Sequence, residues 1–155
     1  RRRGGTILMG KRKPFDRKLY NEVNDLSIKA VKKYLTDSGH TITSTKEKFT
    51  ADIESTYKGK EYLTEAEVKL VWDKEWPSNW CNVRVPERKR KLLEQAEKEG
   101  KILTFLYLNK SFTKAWKIDG ETVKDCSLEE VPNRFVPKGE YFYIVPVEKA
   151  TMVNL

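Results

Sequence analysis

Four ionisable side chains stand at spacings that suit metal-assisted hydrolysis of a phosphodiester. Glu65, Glu67 and Lys69 alternate along the segment EYLTEAEVKLVW, and Asp52 lies fifteen residues before Glu67. If this segment is a strand, its alternate residues share one face. Mg²⁺ prefers carboxylate oxygens, and a nearby ammonium can orient water or stabilise the charge that develops on a phosphate. Asp52, Glu67 and Lys69 are therefore the candidate catalytic residues.

Two predicted strands must position these side chains. The face of the segment opposite Glu67 is apolar and predicts a core contact through Ala66, Val68, Leu70 and Trp72. The segment KFTADIEST alternates in the same way, with Asp52 on its polar side. A hairpin through the turn YKGKE would pair the two strands and bring Asp52 close to Glu67.

The order of predicted elements resembles the restriction-endonuclease-like PD-(D/E)XK nucleases over roughly residues 16–108. A helix, a strand, an Asp-bearing strand, a strand with Glu-x-Lys, a helix and a further strand follow one another. Ala51 stands where the family motif has proline, at a position that varies widely in the superfamily. The resemblance implies an α/β fold, with a restriction-endonuclease-like core in which a central mixed sheet is flanked by helices.

The same resemblance implies the activity and the ligands. The chain would be an Mg²⁺-dependent endonuclease acting on DNA, with Mn²⁺ as a substitute and no organic cofactor. Asp52, Glu67 and the backbone carbonyl of Val68 would be metal ligands, and Lys69 would be the catalytic lysine. Glu22 is a further candidate ligand on the first helix, and Asp25 is a weaker one. Small members of the family often act as homodimers on junctions or other branched DNA.

Other interpretations of the same residues stay open. Asp, Glu, Lys and Arg make up 35% of the chain, and Glu-x-Lys on a strand is commonly a solvated face with a cross-strand ion pair. The protein could be a noncatalytic nucleic-acid-binding or assembly protein with a nuclease-like fold. It could also be a basic structural protein of a larger particle. Metal-dependent cleavage separates the first hypothesis from these two.

Length and charge narrow the class of protein. The 155 residues predict one domain, residues 14–155, after a mobile basic tail at residues 1–13. A net charge of +8 favours a polyanionic partner, of which nucleic acid is the first candidate and an anionic membrane the second. No stretch approaches the roughly 18 apolar residues of a spanning helix, and no secretory signal is recognisable. We therefore expect a cytoplasmic or nucleoid-associated protein that is neither secreted nor bound to a membrane.

Few other chemistries are open to this composition. Cys81 and Cys126 are far apart and are expected to stay reduced. His40 is the sole histidine, which argues against a zinc-ligand cluster and against a Ser-His-Asp or Cys-His site. It is expected to be a solvated turn residue.

Two helices are predicted. Residues 16–37 carry an apolar stripe, with Asp16 as a cap and Ser38-Gly39 as the end. Residues 86–99 form the second helix between Pro86 and Gly100, and four cations crowd its first turns. These cations oppose the helix dipole, which a bound phosphate would relieve. A solvated basic face is the alternative for the proposed nucleic-acid-binding residues Arg88, Lys89, Arg90, Lys91 and Gln95.

The remaining segments predict strands and loops. Trp76 and Trp80 lie in the loop DKEWPSNWCN and could stack on a nucleobase, or could pack over the sheet edge. The apolar run at 101–108 predicts a central parallel strand, joined to a strand at 82–85 by a right-handed crossover. Later strands are expected at 112–118 and 141–147, with a long polar connection between them.

Overall fold

The computed structural model describes residues 17–45, 51–131 and 140–155, which form an α/β fold. The predicted tail and the capping residue Asp16 lie outside the described residues. The elements in chain order are α1 (Arg17–Asp37), β1 (Thr41–Thr45), β2 (Ile53–Tyr57), β3 (Lys60–Val68), β4 (Asn82–Pro86), α2 (Arg90–Glu99), β5 (Ile102–Leu108), β6 (Lys114–Asp119), α3 (Gly120–Lys124), β7 (Ser127–Glu130), β8 (Tyr141–Pro146) and β9 (Thr151–Asn154). None of the described helices is long and apolar enough to cross a membrane.

A mixed six-stranded sheet carries the candidate site. Its strand order is β1-β2-β3-β5-β6-β9, and every neighbouring pair is antiparallel except β3 and β5. The expected hairpin of β2 and β3 is confirmed, with β1 as a third strand beside β2, and β2 turns into β3 at Lys58-Gly59. Both turn residues have positive φ, 50° and 78°, as a two-residue hairpin turn with right-handed strand twist requires.

The apolar run at 101–108 is the central strand that its composition predicted. β5 lies between β3 and β6, parallel to the former, and five of its residues are at most 4% exposed: Leu103, Phe105, Leu106, Tyr107 and Leu108. Such burial on both faces is the setting in which a continuous apolar strand is stable.

Each face of the large sheet has its own core. On one face α1 packs through Val31 and Leu35 against Ile53, Ala66 and Leu106. On the other face lie α2, α3 and a second sheet of order β4-β8-β7. The odd-numbered residues of β3 face this second side, because Leu63 belongs to its core whereas Ala66 belongs to the core under α1. Glu65 and Glu67 therefore project toward α2 and the small sheet.

The expected crossover from β4 through α2 to β5 is wrong. β4 pairs with β8 in the small sheet, and the parallel partner of β5 is β3. The chain thus leaves the large sheet after β3, contributes β4 to the small one, and returns through α2. The predicted helix at 86–99 begins with a 3₁₀ turn, Glu87–Lys89, and becomes α-helical at Arg90.

Three local expectations also fail. The strand expected to run to Trp72 ends at Val68, and Leu70 is 49% exposed instead of sharing the core face. The predicted stripe of α1 is buried only in its second half, since Leu19 and Leu26 are about half exposed. His40 is not a solvated turn residue: it is partly buried, stacks on Tyr57 at 4.8 Å between ring centroids, and hydrogen-bonds through Nδ1 to the Ser55 hydroxyl at 2.9 Å.

Candidate active site

The β2–β3 hairpin places Asp52 beside the end of β3. The register pairs Ile53 with Thr64, so Asp52 lies opposite Glu65, just beyond the last backbone pair of the hairpin. There the carboxylate Oδ2 of Asp52 accepts a hydrogen bond from the Ala66 backbone N–H at 2.9 Å. The Asp52 side chain thus takes the place of the missing strand partner, and this hydrogen bond fixes the direction of its carboxylate at the end of β3.

Glu65 is held by two donors. Its Oε2 accepts the backbone N–H of Asp52 at 3.0 Å, and its Oε1 pairs with the Lys89 ammonium at 2.7 Å. Both side chains are largely buried, 13% and 23% exposed, so solvent screens this ion pair weakly. Glu65 therefore locks Asp52 and the 3₁₀ turn before α2 onto the end of β3.

Glu67 and Lys69 lie on the same side of the sheet as Tyr107. Glu67 is in register with Tyr107 of β5, and the Lys69 ammonium stands 4.6 Å from the centre of the Tyr107 ring. No cation forms an ion pair with Glu67 within 4.0 Å in the described ranges. Its carboxylate is therefore available to a ligand.

The electrostatic setting of Lys69 favours loss of its proton. Burial lowers the pKa of Lys69, the Glu67 charge acts in the opposite direction, and Arg84 and Arg88 lower the pKa further. Burial raises the pKa of the Tyr107 phenol well above its usual range, and Glu67 and Glu65 add to this effect. Tyr107 is therefore uncharged and lines the site with its ring. Its buried hydroxyl has no hydrogen-bond partner within the described part of the chain.

The backbone of β3 adds a further oxygen. Ala66 directs its N–H toward Asp52, whereas Lys69 directs its N–H to the Leu108 carbonyl on β5. Since the N–H and C=O of one strand residue point to the same side and alternate along the strand, the Val68 carbonyl points to the Asp52 side. β2 pairs with β3 only as far as Thr64, so no β2 residue is in register with Val68.

The donor set fits a hard cation such as Mg²⁺. Asp52, Glu67 and the Val68 carbonyl supply only oxygen, and Mg²⁺ is usually held by one or two carboxylates together with water and substrate phosphate. The described residues contain no group of three or more His, Cys, Asp and Glu side chains placed to hold a metal ion. An ion here would therefore depend on water and substrate for part of its coordination shell.

The acidic residues of α1 do not lie on the side of the sheet that carries these oxygens. Glu22 and Asp25 are exposed, and α1 packs against the face of the sheet opposite to the one that carries Glu65 and Glu67. The role of Glu22 as a ligand stays a prediction without geometric support.

The basic cluster has acidic partners within the protein. Besides the Lys89–Glu65 pair, Arg90 pairs with Glu87 at 3.1 Å, and Arg88 approaches Glu140 at 3.7 Å. These carboxylates stabilise cations that the helix dipole disfavours at this end of the helix. Arg88, Arg90 and Lys91 remain exposed, and Gln95 hydrogen-bonds Glu99 at 3.2 Å. Their contact with nucleic acid stays a prediction.

Sequence reasoning missed three residues that shape the site. Glu65 was placed on the right face, but its partner Lys89 is 24 residues away. Tyr107 belongs to the apolar run at 101–108, and its hydroxyl group was the only sign in the sequence that this residue could have a role in the site. Asn109 is 1% exposed and accepts from the backbone N–H of Thr113 at 2.8 Å, while its amide donates to the Asp73 carbonyl at 2.7 Å. It therefore fastens the loop after Lys69 to the β5–β6 turn.

The chain matches no known family model and no curated protein.

Proposed function

We propose that the protein is a metal-dependent endonuclease of the PD-(D/E)XK type that hydrolyses phosphodiester bonds in DNA. The observation that carries the proposal is the hydrogen bond from Ala66 N–H to Asp52 Oδ2. It holds one carboxylate at the backbone N–H of Ala66, the residue that precedes Glu67 and lies two positions before Val68. The partly buried Lys69 follows on the same face as Glu67.

The chain topology supports the same proposal. α1, the antiparallel strands β1 to β3, α2 and then β5 parallel to β3 follow the order of helices and strands in that superfamily. Helices cover both faces of the sheet, α1 on one and α2 on the other. β4 is an insertion into this order, because it leaves the large sheet for the small one.

Asp52, Glu67 and the Val68 carbonyl would hold the metal ion. When bound, such an ion supplies Lewis-acid polarisation of the phosphoryl group and lowers the pKa of a water ligand. Glu65 is paired with Lys89 and accepts the backbone N–H of Asp52, so it would orient Asp52 rather than bind the ion itself.

Lys69 handles the proton and the phosphate. In its charged form the ammonium can donate hydrogen bonds to a phosphoryl oxygen, where negative charge develops during attack. Because its pKa is lowered by burial, the neutral amine is reached at a lower pH than for an exposed lysine, and it can then accept the proton of the attacking water. The Tyr107 ring lies against this ammonium, 4.6 Å from its nitrogen to the ring centre, and helps to hold it in place.

The test is cleavage of labelled DNA substrates (duplex, single strand, flap and four-way junction) with Mg²⁺, Mn²⁺ or EDTA. The intact protein should cut with either metal and not with EDTA. Asp52→Asn, Glu67→Gln and Lys69→Met should each lose at least 100-fold in rate, the range typical of removing one group that stabilises the transition state. Circular dichroism should show an unchanged fold.

The same strand offers matched controls. Glu61→Gln and Lys60→Met change an exposed carboxylate and an exposed ammonium of β3, and should retain cleavage within a factor of about two. Equal cleavage by Glu67→Gln and Glu61→Gln would refute the site. DNA binding without cleavage under all metal conditions would favour the noncatalytic nucleic-acid-binding protein instead.

A further inference from the structure

A groove opens next to Lys69. It has a volume of about 570 Å³ and is lined by Lys69, Val71, Trp76, Asn79, Trp80, Cys81, Asn82 and Arg84. Its lining therefore combines two cations, two indoles and two side-chain amides. None of the described residues that line it is acidic, so the groove suits an anion with an aromatic part.

The indoles of the groove belong to a larger aromatic cluster. Trp76 makes edge-to-face contacts with Trp72, Trp80 and Trp116, at 5.4, 5.2 and 5.8 Å between ring centroids. Trp72 is 3% exposed, whereas Trp80 is 37% exposed and the neighbouring Val71 is 69% exposed. The cluster thus buries one end in the protein and presents the other end, Trp80, to solvent.

The loop that carries Trp80 is held in place. The Trp76 indole N–H donates to the Trp80 carbonyl at 2.7 Å, and the Trp80 backbone N–H donates to the Pro77 carbonyl at 3.0 Å. Upstream, the Trp72 carbonyl accepts from Lys110 N–H at 2.9 Å. A preordered aromatic surface loses little conformational entropy when a ligand stacks on it.

We propose that this groove binds one unpaired nucleotide of a DNA strand beside the phosphate that is cut. The base stacks on Trp80, the amides of Asn79 and Asn82 face its edge, and Arg84 and Lys69 face the backbone phosphates. Stacking on an indole is tolerant of sequence, because every base offers a π face. The proposal rests on the proposed nuclease function for the role of Lys69, and extends it to a class of substrate.

That class is DNA with a single-stranded segment at the cleavage position, such as a fork, flap or gap. A base inside a continuous duplex has both faces covered by its neighbours, and must leave the stack before an aromatic side chain can contact its face. An already unpaired base avoids this cost. A groove of this volume is also of the size that binds a single small ligand rather than a duplex.

The experiment is a binding titration in EDTA, so that no strand is cut. Calorimetry compares a single-stranded oligonucleotide, a forked duplex and a blunt duplex of equal length. Trp80→Ala should weaken binding of the first two about tenfold, as expected for one stacked base, and leave the blunt duplex within twofold. Trp80→Phe should recover most of the loss. Tyr20→Ala, an exposed aromatic on α1, is the matched control and should change nothing.

Cys81 gives a second measurement that needs no change to the indoles. It is exposed in the groove, whereas burial raises the pKa of the Cys126 thiol and slows its alkylation. Single-stranded DNA should slow alkylation of Cys81 by iodoacetamide at least fivefold in a Cys126→Ser variant, and blunt duplex should not.

The outcomes separate this inference from the nuclease proposal. Equal loss on all three DNAs in Trp80→Ala, or equal protection of Cys81 by duplex and single strand, would overturn the groove and leave the cleavage site untouched. Selective binding of unpaired DNA by a protein that never cleaves would keep the groove and remove the nuclease.

Discussion

The charge of the buried Lys69 lowers the stability of the folded protein, although the proposed cleavage reaction needs this lysine. Because burial lowers its pKa in the folded protein, the charged form is less favourable there than in the unfolded chain. Between the folded pKa and the unfolded value of 10.5, the unfolded chain binds more protons than the native one. The free energy of unfolding therefore rises with pH across that window. Below the window Lys69 is charged in both states, and the folded protein is destabilised by the full cost of burying that charge.

Replacing this lysine should stabilise the protein while stopping cleavage. Lys69→Met removes the buried charge, and we expect the free energy of unfolding at pH 7 to increase by on the order of 1 kcal/mol. The gain should shrink as the pH approaches 10.5. Urea unfolding at pH 7 and pH 10 measures both effects. Lys60→Met, at the exposed start of β3, is the control. A destabilised Lys69→Met protein at pH 7 would contradict this account of the lysine.

Glu65 and Glu67 show what residue-scale reasoning from sequence can separate. Alternation placed both on one face, and that is confirmed by the direction in which β3 packs. Their different partners are set by contacts that no local pattern encodes. Lys89 reaches Glu65 from a turn 24 residues away, and the backbone N–H of Asp52 reaches it from the neighbouring strand.

At the scale of elements, the β2–β3 hairpin decides where Asp52 stands. A shift of one residue in its register would turn every side chain of β2 to the opposite face. Lys58 and Gly59 fix this register with positive φ values, which lysine adopts less readily than asparagine or glycine. The turn is therefore a point at which small substitutions change the stability of the site.

Substitutions at the two turn positions should act in opposite directions. Lys58→Asn places a residue suited to φ 50° and should stabilise the protein by about 0.5 kcal/mol. Gly59→Ala should destabilise the protein by about 1 kcal/mol, because a residue with a side chain adopts a φ of 78° less readily than glycine. A steric clash does not contribute, since an added Cβ would meet no atom within 4 Å. Thermal unfolding checks both. An unchanged melting temperature in Gly59→Ala would show that the turn relaxes without cost.

Elements whose signals are local were predictable, and those defined by a distant partner were not. The turn YKGKE and the apolar run of β5 carry their structure in consecutive residues, and both predictions are confirmed. β4 had the composition of a strand, but nothing in its sequence distinguishes a place beside β5 from one beside β8. β8 follows more than fifty residues later, so the crossover could not be resolved locally.

For the whole molecule, the charge of +8 predicts attraction to DNA but not its location. Several of the cations are engaged in ion pairs, and Lys89 is held by Glu65. Arg88, Arg90 and Lys91 near the start of α2 keep exposed charge on the same side of the sheet as the candidate site.

Neutralising these three residues to Gln should weaken duplex binding and reduce its salt dependence. Each phosphate that the protein no longer neutralises makes the slope of log K against log salt concentration shallower by about 0.9. Titrations between roughly 50 and 200 mM salt give the slope. The control replaces Lys29, Lys33 and Lys60, which are exposed and carry the same total charge. Equal slopes for both triple variants would place the DNA interface elsewhere.

The convergence of the tryptophans has a spectroscopic consequence. The chain has four, and Trp72, Trp80 and Trp116 all contact Trp76. Indole emission from the intact protein therefore originates in one corner, within energy-transfer distance throughout and next to Lys69. A change in tryptophan fluorescence, excited selectively so that tyrosine does not contribute, therefore reports on that corner. Opening of α1 or of the β1–β2 edge would leave the tryptophan spectrum unchanged as long as the surroundings of the indoles stay intact.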